Sequence, residues 1–131
     1  FVTTVWIKYS VQRKRKMNDQ AIEQEIQAKG LIAPRVTPAD IKENIVSEHY
    51  FTARDGCEGA YGGGGLYPEE LDLLTFCVLV LRNGFTVTGE SACASPENFD
   101  AELGRKIARA DAVNQVWPLM GYALKDRLNA A

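Results

Sequence analysis

Arg105, Lys106 and Arg109 stand close together in the sequence. At helical spacing Arg105 and Arg109 place two planar guanidinium forks one turn apart, an arrangement that suits a phosphate or pyrophosphate. Glu102 can neutralise Arg105 or Lys106 three or four residues away. The helical neighbours of Arg109 are Arg105, Lys106, Ala112 and Val113, with no acid among them. Like charges at that spacing cost only a few tenths of a kcal/mol, so a solvated basic face fits the same pattern as an anion clamp. Phe85 can stack on a base if it projects toward that helix, or pack in the core.

A search for catalytic groups finds little. His49 is the only histidine, and Ser91, Ser95, Cys57, Cys77 and Cys93 carry no nucleophile motif around them. Glu90, Glu97, Asp100 and Glu102 cluster near a helix start, where acids serve as caps and dipole partners. Gly59 and Gly62 to Gly65 could cradle a phosphate, but no Gly-Lys-Ser/Thr follows and the dinucleotide fingerprint is absent, so a surface loop is expected. No catalytic residue, cofactor or metal ligand set is assigned, since an odd number of cysteines without a CxxC pair does not make a zinc site.

The elements that must position these residues read as follows. Met17 to Lys29 is a short amphipathic helix stopped by Gly30, and Leu31 to Val36 is a linker. Thr37-Pro38-Ala39-Asp40 starts a second helix, with Ile41 and Ile45 on its buried side. His49 to Thr52 forms a brief strand, and Arg54 to Tyr67 is turn chemistry. Leu71 to Leu81 and Phe85 to Ala94 form a hairpin about Asn83-Gly84. With a two-residue turn Cys77 and Cys93 lie on opposite faces; with a three-residue loop they share a face roughly 13 Å apart. Neither register allows a disulfide, so the thiols are expected to be reduced. Ser95-Pro96-Glu97 then opens a long helix whose seam is Phe99, Leu103, Ile107, Ala110, Val113, Trp117, Met120, Leu124 and Leu128. Pro118 is expected to kink or break it.

The chain has 131 residues, 46% hydrophobic and 24% charged, with 15 Lys and Arg against 17 Asp and Glu. These proportions fit a single folded domain and exclude disordered and disulfide-scaffold classes. Its longest apolar run, Leu73 to Leu81, is far short of the roughly 20 residues a membrane span needs. Lys8, Arg13, Lys14, Arg15 and Lys16 crowd the first 16 residues, which hold no acid. The remainder therefore carries ten basic and 17 acidic side chains. An acidic body argues against a broad contact with long nucleic acid, whose affinity scales with basic contacts. Residues 1–16 are expected to be a non-native or upstream basic extension, with the single domain spanning 17–131.

From Leu73 onward the chain resembles a known family. The matching stretches are Leu74-Thr75-Phe76-Cys77-Val78-Leu79, Arg82-Asn83-Gly84-Phe85, Gly89 through Asp100, Gly104-Arg105-Lys106-Ile107-Ala108, and Trp117-Pro118-Leu119-Met120-Gly121-Tyr122. They resemble the gene-forty-nine and gene-sixty-six family of small proteins from tailed phages and prophages, over residues 17–131. The hairpin with Asn-Gly-Phe, the Cys, the Pro-Glu-Asn-Phe helix start, the Trp and the Gly-Tyr are also similar to Thoeris anti-defense protein one. That family consists of phage sponges that hold cyclic ADP-ribose isomers made by bacterial TIR-domain enzymes, without cleaving them; some members also take up cyclic oligonucleotides. The resemblance implies a homo-oligomer, with ligand sites built on the arginines after the hairpin, here Arg105 and Arg109.

The expected fold is α+β, an antiparallel hairpin sheet packed against long C-terminal helices, with short N-terminal helices outside. The expected function is sequestration of a cyclic nucleotide immune signal in the host bacterial cytoplasm, with no membrane contact. Arg105, Arg109, Lys106, Phe85, Asn98 and Thr88 supply the cationic, stacking, amide and hydroxyl chemistries such a ligand needs. Inhibition of a host protein through the acidic body is the alternative, and hydrolysis of the same nucleotides is a third reading.

Overall fold

In the computed structural model, which describes residues 19–131, the chain is α+β with a three-stranded antiparallel sheet. The basic extension and residues 17 and 18, expected to begin the opening helix, lie outside the described residues. A helix over 19–28 (α1) is followed by Gly30 at φ +66°, the left-handed conformation that ends helices. Thr37 and Asp40 exchange side-chain and backbone hydrogen bonds, a capping box that starts α2 (Pro38–Asn44).

Ile45 does not continue α2, as its spacing from Ile41 suggested. It begins an eight-residue strand, β1 (Ile45–Thr52), longer than the four-residue strand expected. The predicted turn region from Arg54 also holds a helix, α3 (Ala53–Tyr61), despite Gly56 and Gly59. Thr52 and Asp55 form a second capping box, which offsets the poor helix propensity of those glycines. A 3-10 turn (Glu69–Leu73) then leads into β2 (Leu74–Leu81), and β3 (Thr86–Ala92) completes the hairpin.

The hairpin uses the three-residue loop. Leu81 accepts from Gly84 and donates to Phe85, and Gly84 sits at φ +88°. Cys77 pairs with Gly89, which puts Cys93 on the same face four residues further along, and the three cysteines are free.

The sheet order is β1-β2-β3, and its two faces differ. Thr75, Cys77, Leu79 and Leu81 of β2 and Val87, Gly89 and Ser91 of β3 are buried beneath α4 (Ala101–Ala130). On the opposite face Phe76, Val78 and Val80 are half-buried, and Phe51 packs on Phe76 with ring centroids 5.5 Å apart. The long helix starts later than expected: Ser95-Pro96-Glu97 opens a 3-10 turn (Pro96–Asn98), and the α4 cap is Asp100, which accepts from Leu103. Pro118 lies inside α4 without breaking it.

The buried side of α4 is also not the seam of large apolar residues read from the sequence. It is Gly104, Ile107, Ala108, Ala112 and Val116, while Val113, Trp117 and Met120 are only partly buried beside it and Leu128 is exposed. Small residues face the sheet because the helix backbone comes almost onto it. A Cβ on Gly89 would stand 2.2 Å from the Ala108 carbonyl oxygen and 2.3 Å from the Ala112 nitrogen. Both are backbone atoms within a helix and cannot yield by rotamer change. Gly89→Ala therefore should force α4 away from the sheet. It should cost about 3 kcal/mol or more, read as a lowered midpoint in urea unfolding, against less than ~1 kcal/mol for Gly59→Ala, where nothing lies within 4 Å.

Candidate functional site

Lying across the sheet, α4 sends side chains to both of its edges. On one flank Asp111 accepts the outward N–H of Glu90 at 3.0 Å, and Gln115 donates to the outward carbonyl of Thr88 at 2.6 Å. On the other flank the Arg109 Nε–H donates to both carboxylate oxygens of Glu48 on β1, each at 3.0 Å. β1 and β3 are the two edges of the sheet, so the two sets of contacts define two separate places.

The first is an open groove of about 500 Å³ between β3 and α4, lined by Phe85, Thr86, Val87, Thr88, Asn114, Gln115, Pro118 and Leu119. Its chemistry is neutral. Phe85 presents a ring that is 55% exposed, Thr86 and Thr88 present hydroxyls, and Asn114 and Gln115 present amides. Pro118 has no N–H to give to the Asn114 carbonyl one turn earlier, so the helix offers an extra backbone acceptor beside the groove that both residues line. None of the lining side chains titrates.

The second place is the Arg109 cluster. The Tyr50 hydroxyl donates to Glu48 Oε1 at 2.7 Å, so a carboxylate on β1 is shared between a phenol on its own strand and a guanidinium on α4. The hydrogen bond from Arg109 holds Glu48 below the usual carboxylate range, and the same bond raises the Arg109 pKa. Burial and the Glu48 carboxylate push the Tyr50 phenol far above its ordinary value, and burial pushes up the Cys77 thiol beneath it. The lack of an acid near Arg109 in sequence is thus resolved by a residue from another element. Arg105, one turn before Arg109, is exposed and has no ion-pair partner among the described residues. Lys106 pairs with Glu102 at 3.5 Å, both exposed.

Of the six residues singled out in the sequence, Phe85 and Thr88 share the groove, and Arg105 and Arg109 share the opposite flank of α4. Lys106 and Asn98 are exposed and belong to neither set. Asn114, Gln115, Glu48 and Tyr50 were missed. Glu48 and Tyr50 alternate along β1, so reading a longer strand would have put them on one face.

The sequence profile of a phage protein family matches residues 36–128, from the start of α2 through nearly all of α4. The chain belongs to the phage protein (N4 Gp49/phage Sf6 gene 66) family. The matched span holds the whole sheet, both flanks of α4 and every residue of the two places described above. No curated protein and no solved structure matches the chain. Among the described residues no helix is long and apolar enough to cross a membrane, and no group of three or more His, Cys, Asp or Glu side chains could hold a metal ion.

The Glu48 pair sets an acid dependence. Its folded pKa lies below the unfolded value, so its contribution is present above the ordinary carboxylate range and is lost as pH falls through the lowered pKa. Unfolding followed from pH 6 to pH 3 should show wild-type stability falling more steeply than that of Glu48→Gln, with the two curves converging at the acid end.

Proposed function

We propose that this phage protein binds a cyclic nucleotide immune signal in the host cytoplasm and holds it without cleaving it. The observation that carries the reading is the groove between β3 and α4. Its volume of about 500 Å³ falls in the range of small-ligand sites, roughly 300 to 1,000 Å³. Its ring, hydroxyls and amides suit the base and ribose of a nucleotide. The absence of any titratable side chain from its lining supports holding over hydrolysis, because cleavage of a phosphate or glycosidic bond needs a general acid or base in reach. The ligand class comes from the resemblance to Thoeris anti-defense protein one, with cyclic ADP-ribose isomers first and cyclic oligonucleotides second.

The phosphates of such a ligand need cations, and Arg105 is an exposed arginine without an ion-pair partner among the described residues, on the flank of α4 away from the groove. A homo-oligomer, in which one copy offers its groove and another its Arg105 and Arg109, would bring the two chemistries together. A second reading, binding and blocking a host protein, is favoured by the outer sheet face, where Phe51 is exposed beside half-buried Phe76, Val78 and Val80.

Thermal-shift titration of the protein with a panel of cyclic ADP-ribose isomers and cyclic di- and trinucleotides separates these readings. A bound signal at a hundredfold excess over its dissociation constant should add about 2.7 kcal/mol of stability. Heat release should return it unaltered, and Phe85→Ala should weaken binding about tenfold, the worth of one stacking contact. Chemically altered ligand would mean an enzyme. No shift across the panel, with a host protein co-purifying through the outer sheet face, would replace sequestration by the second reading.

A further inference from the structure

Glu48 and Arg109 lie 61 residues apart and on different elements, yet the contact between them has a particular form. Both carboxylate oxygens converge on a single donor, the Arg109 Nε–H, at 3.0 Å each. The four N–H groups on Nη1 and Nη2 have no partner among the described residues, and the side chain is 37% exposed. A guanidinium is planar and rigid, so fixing the Nε–H direction also fixes the direction of the other four. The carboxylate is itself held from behind by the Tyr50 hydroxyl at 2.7 Å, and Tyr50 is packed against the core. A surface arginine of this length would otherwise spread over many rotamers, and ordering it at the moment of binding would cost affinity.

We infer that Glu48, held by Tyr50, is a positioning residue that presents the free Nη edge of Arg109 as a preformed fork for a phosphate or pyrophosphate, with Arg105 one turn away as the second cation. This rests on the nucleotide-binding reading for its biological ligand, but the fork itself is a property of the β1 flank of α4. The arrangement also explains how an anion site can sit beside a carboxylate. Glu48 engages the Nε end of the guanidinium while the ligand meets the opposite edge, and Arg105 restores a net positive charge to the flank.

The alternative is that Glu48 competes with the anion for Arg109, and the two roles give opposite results. Isothermal titration with inorganic pyrophosphate uses a probe that carries the anion without the base. Arg109→Ala should abolish binding, and Arg109→Lys should not restore it, because an ammonium cannot bond Glu48 and offer a planar fork at once. Glu48→Ala should weaken binding about tenfold, Tyr50→Phe about fivefold, and Glu48→Gln, which can still accept from Nε, less than threefold. Each variant is to be titrated well below its own unfolding midpoint, so that lost stability is not read as lost affinity. If Glu48→Ala binds pyrophosphate as tightly as the wild type or more tightly, the positioning role is overturned and competition replaces it. Failure of the wild type to bind pyrophosphate overturns it too. A wild type that binds pyrophosphate through Arg109 and Glu48 but ignores every cyclic nucleotide leaves the fork standing and removes the sequestration reading instead.

Discussion

The methyl group that residue 89 lacks sets the arrangement of everything else. Gly89 lets the backbone of α4 come so close to β3 that side chains at Ala108 and Ala112 also have to be small. At that separation short polar side chains can reach the strand: Asp111 meets the Glu90 amide and Gln115 meets the Thr88 carbonyl. The same approach fixes the rotation of the helix about its own axis. Arg109 therefore points to β1, and Asn114 and Pro118 form a wall facing Phe85. A helix riding on large side chains would stand some 10 Å off the sheet, the usual spacing of packed layers, and would have neither set of contacts.

The hairpin was legible because alternation, β-branched residues and Asn83-Gly84 all favour one structure. The strand beside it was not. Ile41 and Ile45 have helical spacing, and only the register with β2, which a single sequence does not display, pulls Ile45 into the sheet. For α3 the two glycines hid a helix whose capping box, Thr52 and Asp55, was present to be read. The long helix showed the opposite failure. Its large apolar residues traced a convincing seam, but the sheet selected the small ones, because closeness of approach outweighed the area that larger side chains would have buried.

The same distinction governs the site. Phe85 and Thr88 were singled out for their ring and hydroxyl chemistry, and the structure places them along one groove with Asn114 and Gln115, which were not singled out. The charge environment of Arg109 could not be read along the chain, since its partner arrives through strand pairing and helix packing together. The result is that the two arginines singled out as equals differ: Arg105 is free in solvent, and Arg109 is tethered at one end.

The outer edge of β3 carries one more consequence. An exposed strand edge invites another strand through its outward N–H and C=O groups. Here the amide of Glu90 and the carbonyl of Thr88, in the middle of that edge, are already occupied by Asp111 and Gln115. The helix that roofs the sheet thus also hems it on that side, using two side chains in place of a fourth strand. Growth of the sheet in the β3 direction is thereby blocked at its centre, by side chains of the helix that covers its face.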